Sequence, residues 1–123
     1  MSESNQGQEP KFAIQLVYLK DVSFESPSSP ESFRQSPKPS VNLDLNARHV
    51  LVESGIYEVI LSLTLTAKDD NDKTLYLAEV QQAGIFVIDG LDEAGKDHML
   101  ASFCPSILFP YARENIDSLI VKG

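Results

Sequence analysis

The feature that most constrains this chain is a pair of long alternating runs separated by an acidic turn. From Tyr57 to Ala67, the residues Tyr57, Val59, Leu61, Leu63 and Leu65 alternate with Glu58, Ile60, Ser62, Thr64 and Thr66. Successive side chains of a strand point to opposite faces, so a period of two specifies a strand and assigns each residue to a face. Asp69-Asp70-Asn71-Asp72 follows, with residue types that favour a turn, and Thr74 to Ile88 reads as a further strand. So short a connection predicts an antiparallel hairpin. Ala83-Gly84 is expected to mark a bulge or bend in the second strand.

Two earlier segments also alternate. Phe12, Ile14, Leu16 and Tyr18 alternate with Ala13, Gln15, Val17 and Leu19, so both faces of this strand carry apolar residues. Val41, Leu43 and Leu45 alternate with Asn42, Asp44 and Asn46, which predicts a half-buried strand with one wet face. Between them, Ser26 to Ser40 contains Pro27, Pro30, Pro37 and Pro39. Proline cannot donate to a ladder, so this stretch predicts a loop or an irregular edge. Ala47 to Gly55 fits no single pattern. Residues 1–10 are polar and predict a disordered tail ahead of one domain over residues 11–123.

After Gly90 the period changes to that of a helix. Asp92 or Asp89 is suited to cap a helix running to about Phe103. Pro105 is expected to interrupt it, and Ser106 to cap a second helix from Ile107 to Lys122, with Gly123 at its end. Ile107, Leu108, Tyr111, Ala112, Ile116, Leu119 and Ile120 recur at helical spacing, and Pro110 implies either a start or a kink there. Strands followed by helices predict an α+β fold: a four-stranded antiparallel sheet, then two helices packed on one face.

Composition excludes several functions. The chain has 123 residues and a net charge of −8, which disfavours phosphate-backbone binding, so no nucleic-acid partner is expected. The single cysteine, Cys104, cannot form an intrachain disulfide and fits a reducing compartment. The first residues lack a basic and an apolar region of the signal-peptide kind, and no apolar run approaches the roughly 20 residues that span a bilayer. A cytoplasmic protein without direct membrane insertion is expected. Gly84, Gly90 and Gly95 do not form a phosphate loop, and His49, His98 and one cysteine do not build a structural zinc site. Cys104 and His98 invite a thiol-nucleophile reading, but six residues across a helix end do not put them on one face; a packed cysteine is favoured. Asp69-Asp70 reads as solvated turn acids. No catalytic residue, metal or cofactor is expected. What remains is surplus apolar surface, which implies a second copy, or assembly together with a groove for apolar ligands.

Three segments carry a family resemblance. Lys20-Asp21-Val22-Ser23-Phe24-Glu25-Ser26-Pro27 resembles the KDxSFExP segment of SecB. Glu79-Val80-Gln81-Gln82-Ala83-Gly84-Ile85-Phe86 resembles its EVQQxGIF strand. Cys104-Pro105-Ser106-Ile107-Leu108-Phe109-Pro110-Tyr111-Ala112-Arg113-Glu114 is similar to its CPNxLFPYARE block, the most specific of the three. The resemblance runs from about Phe12 to Gly123. It implies an ATP-independent export chaperone that holds precursor proteins unfolded and delivers them to the motor SecA. It also implies a homotetramer built as a dimer of dimers. Asp21, Glu25, Leu77 and Glu79 match an acidic surface for the small zinc-bearing C-terminal segment of SecA. Ala78, Val80 and Gln82 match positions tied to assembly, and the helix surface around His98 and Phe103 is expected to join the dimers. Phe24, Phe33, Val41, Leu43, Leu45 and Ile60 are the client-binding candidates.

Departures are also present. Ala83 stands where the family usually has glycine, and Ala101 and Phe103 replace small or tyrosine residues. SecB chains normally continue past this glycine through a Pro-rich loop, a last helix and an acidic tail, so a chain ending at Gly123 is expected to hold clients more readily than to hand them over. Competing readings are a SecB-like guardian of an antitoxin, an oligomeric scaffold without clients, and an enzyme using Cys104.

Overall fold

The computed structural model describes residues 9–26 and 40–122. Strand β1 spans Lys11–Glu25, β2 Ser40–Glu53, β3 Ile56–Lys68 and β4 Thr74–Asp89. Helix α1 (Glu93–His98), a π-helical turn (Met99–Phe103) and helix α2 (Cys104–Lys122) follow. The strands form one antiparallel sheet in the order β1-β4-β3-β2. Strands β2, β3 and β4 are joined in succession and β1 lies against β4, a Greek-key arrangement. The Pro-rich segment from Pro27 to Pro39, most of the expected tail and the end cap at Gly123 lie outside the described residues.

The turns form for local reasons. The carboxylate of Asp69 accepts from the backbone N–H of Asn71 and of Lys73, each at 2.9 Å, which closes the β3–β4 hairpin. Half-buried Asp69 therefore organises the turn, while Asp70 is exposed. Residues Ala47 to Gly55, which fit no pattern, continue β2 to Glu53 and then turn through Ser54-Gly55. Gly55 has φ 78°, a conformation that favours glycine and suits a two-residue hairpin.

Helix α1 is capped by Asp92, whose Oδ1 accepts from Gly95 N at 2.7 Å. The two helical segments are continuous, so Pro105 does not separate them. A proline lacks an N–H and its ring collides with the carbonyl four residues back. Here Cys104 N–H bonds Met99 O, five residues back. This wider turn sits just where Pro105 would otherwise distort an α-helix. Ser106 does not cap a helix; its hydroxyl donates to the Phe103 carbonyl at 2.6 Å. Pro110 lies within α2.

The helical layer lies over the two central strands, β3 and β4. Leu100, Cys104, Leu108, Ala112 and Ile116, spaced four apart, form one buried stripe through the π turn. They pack on Tyr57, Val59, Leu61 and Leu63 of β3 and on Ala78, Val80, Phe86 and Ile88 of β4. Full burial of one such large side chain stabilises by about 1.5–3 kcal/mol. No register shift occurs at Ala83-Gly84 in either ladder of β4, so no bulge lies there. Gly84 instead lies under the helix. A Cβ at this position would meet Phe86 Cε1 at 2.7 Å and Leu108 Cδ2 at 3.1 Å. The irregularities are in β1, between Ile14 and Leu16 and between Leu19 and Asp21.

Candidate functional site

The sheet has two unlike faces. On the helix face, the outer strands extend beyond what the helix covers. Val41, Leu43 and Leu45 of β2 are 54%, 41% and 54% exposed, and Leu51 farther along is 59% exposed. Every residue of β2 is exposed, so the expected half-buried strand is wet on both faces because the helical layer touches it without covering it. On the opposite margin, Phe12, Ile14, Leu19 and Val22 of β1 are also exposed. Phe12 stacks edge-on against Phe103 of the π turn, with ring centroids 5.2 Å apart. Between β2 and the helix lies a cleft of about 380 Å³ lined by Leu45, Ala47, Leu61, Ala101, Pro105 and Phe109.

The register places the acidic residues on the other face. Asp21 pairs with Gln81, Ser23 with Glu79 and Glu25 with Leu77. Asp21, Glu25, Leu77 and Glu79 therefore share one patch of two adjacent strands. Asp21 and Glu25 are exposed, while Leu77 and Glu79 are half-buried. Thr64 donates to Glu79 Oε2 at 3.5 Å. Beside this patch the Tyr18 hydroxyl donates to Glu58, and Lys20 Nζ donates to both Glu58 oxygens at 2.9 Å. These bonds hold the Glu58 carboxyl below its ordinary range, with Tyr18 the larger cause. Burial, then Glu58, pushes the Tyr18 hydroxyl up to about 12.

The structure separates the other candidates. Phe24 is half-buried and stacks on Tyr76 at 6.0 Å. Phe33 lies outside the described residues. Ile60 is 0% exposed, beneath the side chains of the sheet face away from the helix, so a client finds no surface on it. Ala78, Val80 and Gln82 do share one face of β4, but it is the helix-covered face: they are 0%, 0% and 3% exposed. Within this chain Ala78 and Val80 belong to the hydrophobic core, and Gln82 is a buried polar residue beside it. His98 and Phe103 are exposed on α1 and the π turn. Cys104 is buried, which pushes its thiol up to about 12 and disfavours a nucleophilic thiolate.

Sequence reasoning missed Gln82's actual partners. Its Nε2 donates to the Tyr18 carbonyl at 3.0 Å, and its Oε1 accepts from Asn115 Nδ2 at 2.7 Å. An Asn at a half-buried helix position is the only sequence signal for such a pair. Among the described residues, no helix is long and apolar enough to cross a membrane.

The family model described as preprotein translocase subunit SecB matches residues 5–123. The chain belongs to the SecB family. A protein-export protein SecB of Pseudomonas paraeruginosa is 53% identical over 116 residues, covering 94% of this chain and 71% of that protein. The SecB of Pseudomonas fluorescens is 52% identical over 122 residues, covering 99% of this chain and 76% of its own. Among solved structures, the SecB-like chaperone Rv1957 of Mycobacterium tuberculosis, in complex with a ChAD peptide from the HigA1 antitoxin, has a TM-score of 0.71. It shares 15% identity and covers 90% of this chain and 82% of its own, a likeness of fold. The chain is accordingly a protein-export chaperone, which binds unfolded client proteins.

Proposed function

We propose that this protein holds precursor proteins in the cytoplasm on the apolar margins of β1 and β2 and passes them to SecA through the acidic patch of β1 and β4. The observation that carries this reading is the central helix, which leaves long apolar rows exposed on both outer strands. An unfolded chain exposes apolar side chains at irregular intervals. Several weak contacts along one margin then hold it through avidity, without sequence selectivity. Val41, Leu43 and Leu45 are the client residues this reading keeps, with the cleft at Ala101, Pro105 and Phe109 beside them.

On the opposite face, Asp21, Glu25 and Glu79 suit the small zinc-bearing segment of SecA; opposite charge speeds encounter and sets orientation. A homotetramer built as a dimer of dimers covers the remaining apolar surface of Phe103 and Tyr111, which are 44% and 48% exposed. No ATP and no cofactor enter this cycle. Guarding an antitoxin is the second reading, drawn from the peptide bound to the mycobacterial fold neighbour. The close likeness to export SecB proteins favours the first.

The test is light-scattering mass of the purified chain, alone and with an unfolded, reduced client. A tetramer that forms a soluble complex with the unfolded client, and ignores the same client once folded, is expected. A clean oligomer that never binds it refutes client holding.

A further inference from the structure

Strand β1 changes its facing twice. Phe12 and Ile14 lie on the helix face, opposite Ile88 and Phe86. After the first irregularity, at Gln15, Leu16 and Tyr18 turn to the open face, opposite Ile85 and Ala83. After the second, at Lys20, Val22 and Phe24 return to the helix face while Asp21, Ser23 and Glu25 take the open one. Side chains alternate strictly, so losing the second irregularity alone would turn Asp21 and Glu25 toward the helix side and Phe24 toward water. Extra residues in a ladder leave backbone groups unpaired, so a bulge persists where other groups hold it.

Contacts from both faces converge on this bulge. From the helix side, Gln82 donates to the Tyr18 carbonyl at 3.0 Å and is itself held by Asn115 of α2 at 2.7 Å. From the open side, Glu58 of β3 receives the Tyr18 hydroxyl and the Lys20 ammonium across the intervening strand β4. Small Ala83 lies between Tyr18 and β3 in the register and leaves room for that reach. Glu58 also neutralises the one cation adjacent in sequence to Asp21, so the patch stays acidic.

We infer that Glu58, with Tyr18 and Lys20 on one side and Gln82 and Asn115 on the other, forms a two-sided clamp that fixes the phase of β1 and so displays Asp21 and Glu25 on the sheet face that receives a basic partner. These are positioning residues. The inference rests on the reading of Asp21, Glu25, Leu77 and Glu79 as the surface for SecA.

Calorimetric binding of a zinc-loaded peptide of the SecA C-terminal segment to the full chain tests it, with Asp21→Asn, Glu58→Gln and the double variant. Amide hydrogen exchange of each variant runs alongside. Glu58→Gln is expected to weaken peptide binding about three- to tenfold, the coupling typical of one contact network. In the Asp21→Asn background the same change costs less than in the parent, because part of its effect passes through Asp21 and the rest through Glu25. Exchange is expected to quicken at residues 19–25 and to stay unchanged in the β3–β4 hairpin, which separates a lost phase from general unfolding. Lys20→Arg, which keeps the ion pair, retains parental binding. Full additivity of the two substitutions, or unchanged exchange at residues 19–25 in Glu58→Gln, overturns the clamp. If Asp21→Asn itself binds the peptide like the parent, the SecA reading fails instead, and the exchange data alone decide the clamp.

Discussion

Gly84→Ala is the substitution whose outcome follows most directly from the packing. Gly84 has no need of a left-handed backbone; its need is space. The new methyl would lie 2.7 Å from Phe86 Cε1 and 3.1 Å from both Phe86 Cζ and Leu108 Cδ2. Carbon atoms rest at about 3.5–4.0 Å, so roughly 1 Å must be found. Phe86 and Leu108 are each fully buried, so neither side chain can swing into solvent. The helix must lift or the ring must leave its rotamer. Overpacking of this kind costs about 1–3 kcal/mol. Replacing glycine also restricts the unfolded chain, which opposes the loss by about 0.4–1 kcal/mol. The overpacking term is the larger, and a net loss of about 1–2 kcal/mol is expected. Urea unfolding at one fixed protein concentration measures it, which holds any self-association constant. Adding Phe86→Leu, which opens the space beneath the methyl, is expected to make the pair less damaging than the sum of its members by at least about 0.5 kcal/mol. A gain in stability from Gly84→Ala, or an additive cycle, refutes the contact argument.

Other outcomes follow from burial and charge. Leu45→Asp, at a site 54% exposed, is expected to change unfolding free energy by less than about 0.5 kcal/mol while reducing suppression of client aggregation; full suppression would remove β2 from the client surface. With its thiol pushed up to about 12 by burial, only about one Cys104 in ten thousand is ionised at pH 8, so an alkylating reagent should label it in urea and hardly at all in native buffer. Rapid native labelling would contradict that burial. Glu58 titrates below its ordinary value of 4.5, so its stabilisation is present above that pH and lost as pH falls through the folded value. Between pH 6 and pH 3 the parent should therefore lose more stability than Glu58→Gln in parallel urea titrations, and equal losses would show that Tyr18 and Lys20 do not stabilise the carboxylate.

The central hairpin was legible because one face of β3 and β4 is under the helix and the other carries Glu58, Ser62, Thr64 and Glu79. That contrast writes a period of two into the sequence. The second half of β2 was not legible: Val50, Leu51 and Val52 are all exposed, so burial imposes no alternation on them. The bulges of β1 were hidden for a related reason. Leu16, Val17, Tyr18 and Leu19 are apolar on both faces, and a shift of phase among them leaves no mark. Period two correctly put Ala78, Val80 and Gln82 on one face, but which face meets the helix depends on tertiary packing. Proline chemistry marked the site of the π turn and misjudged its consequence, because five-residue hydrogen bonding lets the helix continue where four-residue bonding would be strained.

The width of the sheet explains why apolar margins exist at all. Four strands spaced about 4.8 Å apart place the outer two about 14 Å from each other, whereas one helix with its side chains is about 10 Å across. A helix centred on β3 and β4 therefore cannot cover β1 and β2. A chain with no need for exposed apolar surface would carry polar residues at these margins, as it does along Asn42, Asp44 and Asn46 on the other side of the same strand. Val41, Leu43, Leu45 and Leu51 occupy them instead. The 14 residues of β2 extend about 48 Å at 3.4 Å per residue, the length of an extended segment of as many residues. The exposed apolar rows and the acidic patch thus lie on opposite faces of one sheet. β1 contributes to both, and the bulge at Lys20 sets which of its residues lie on which face.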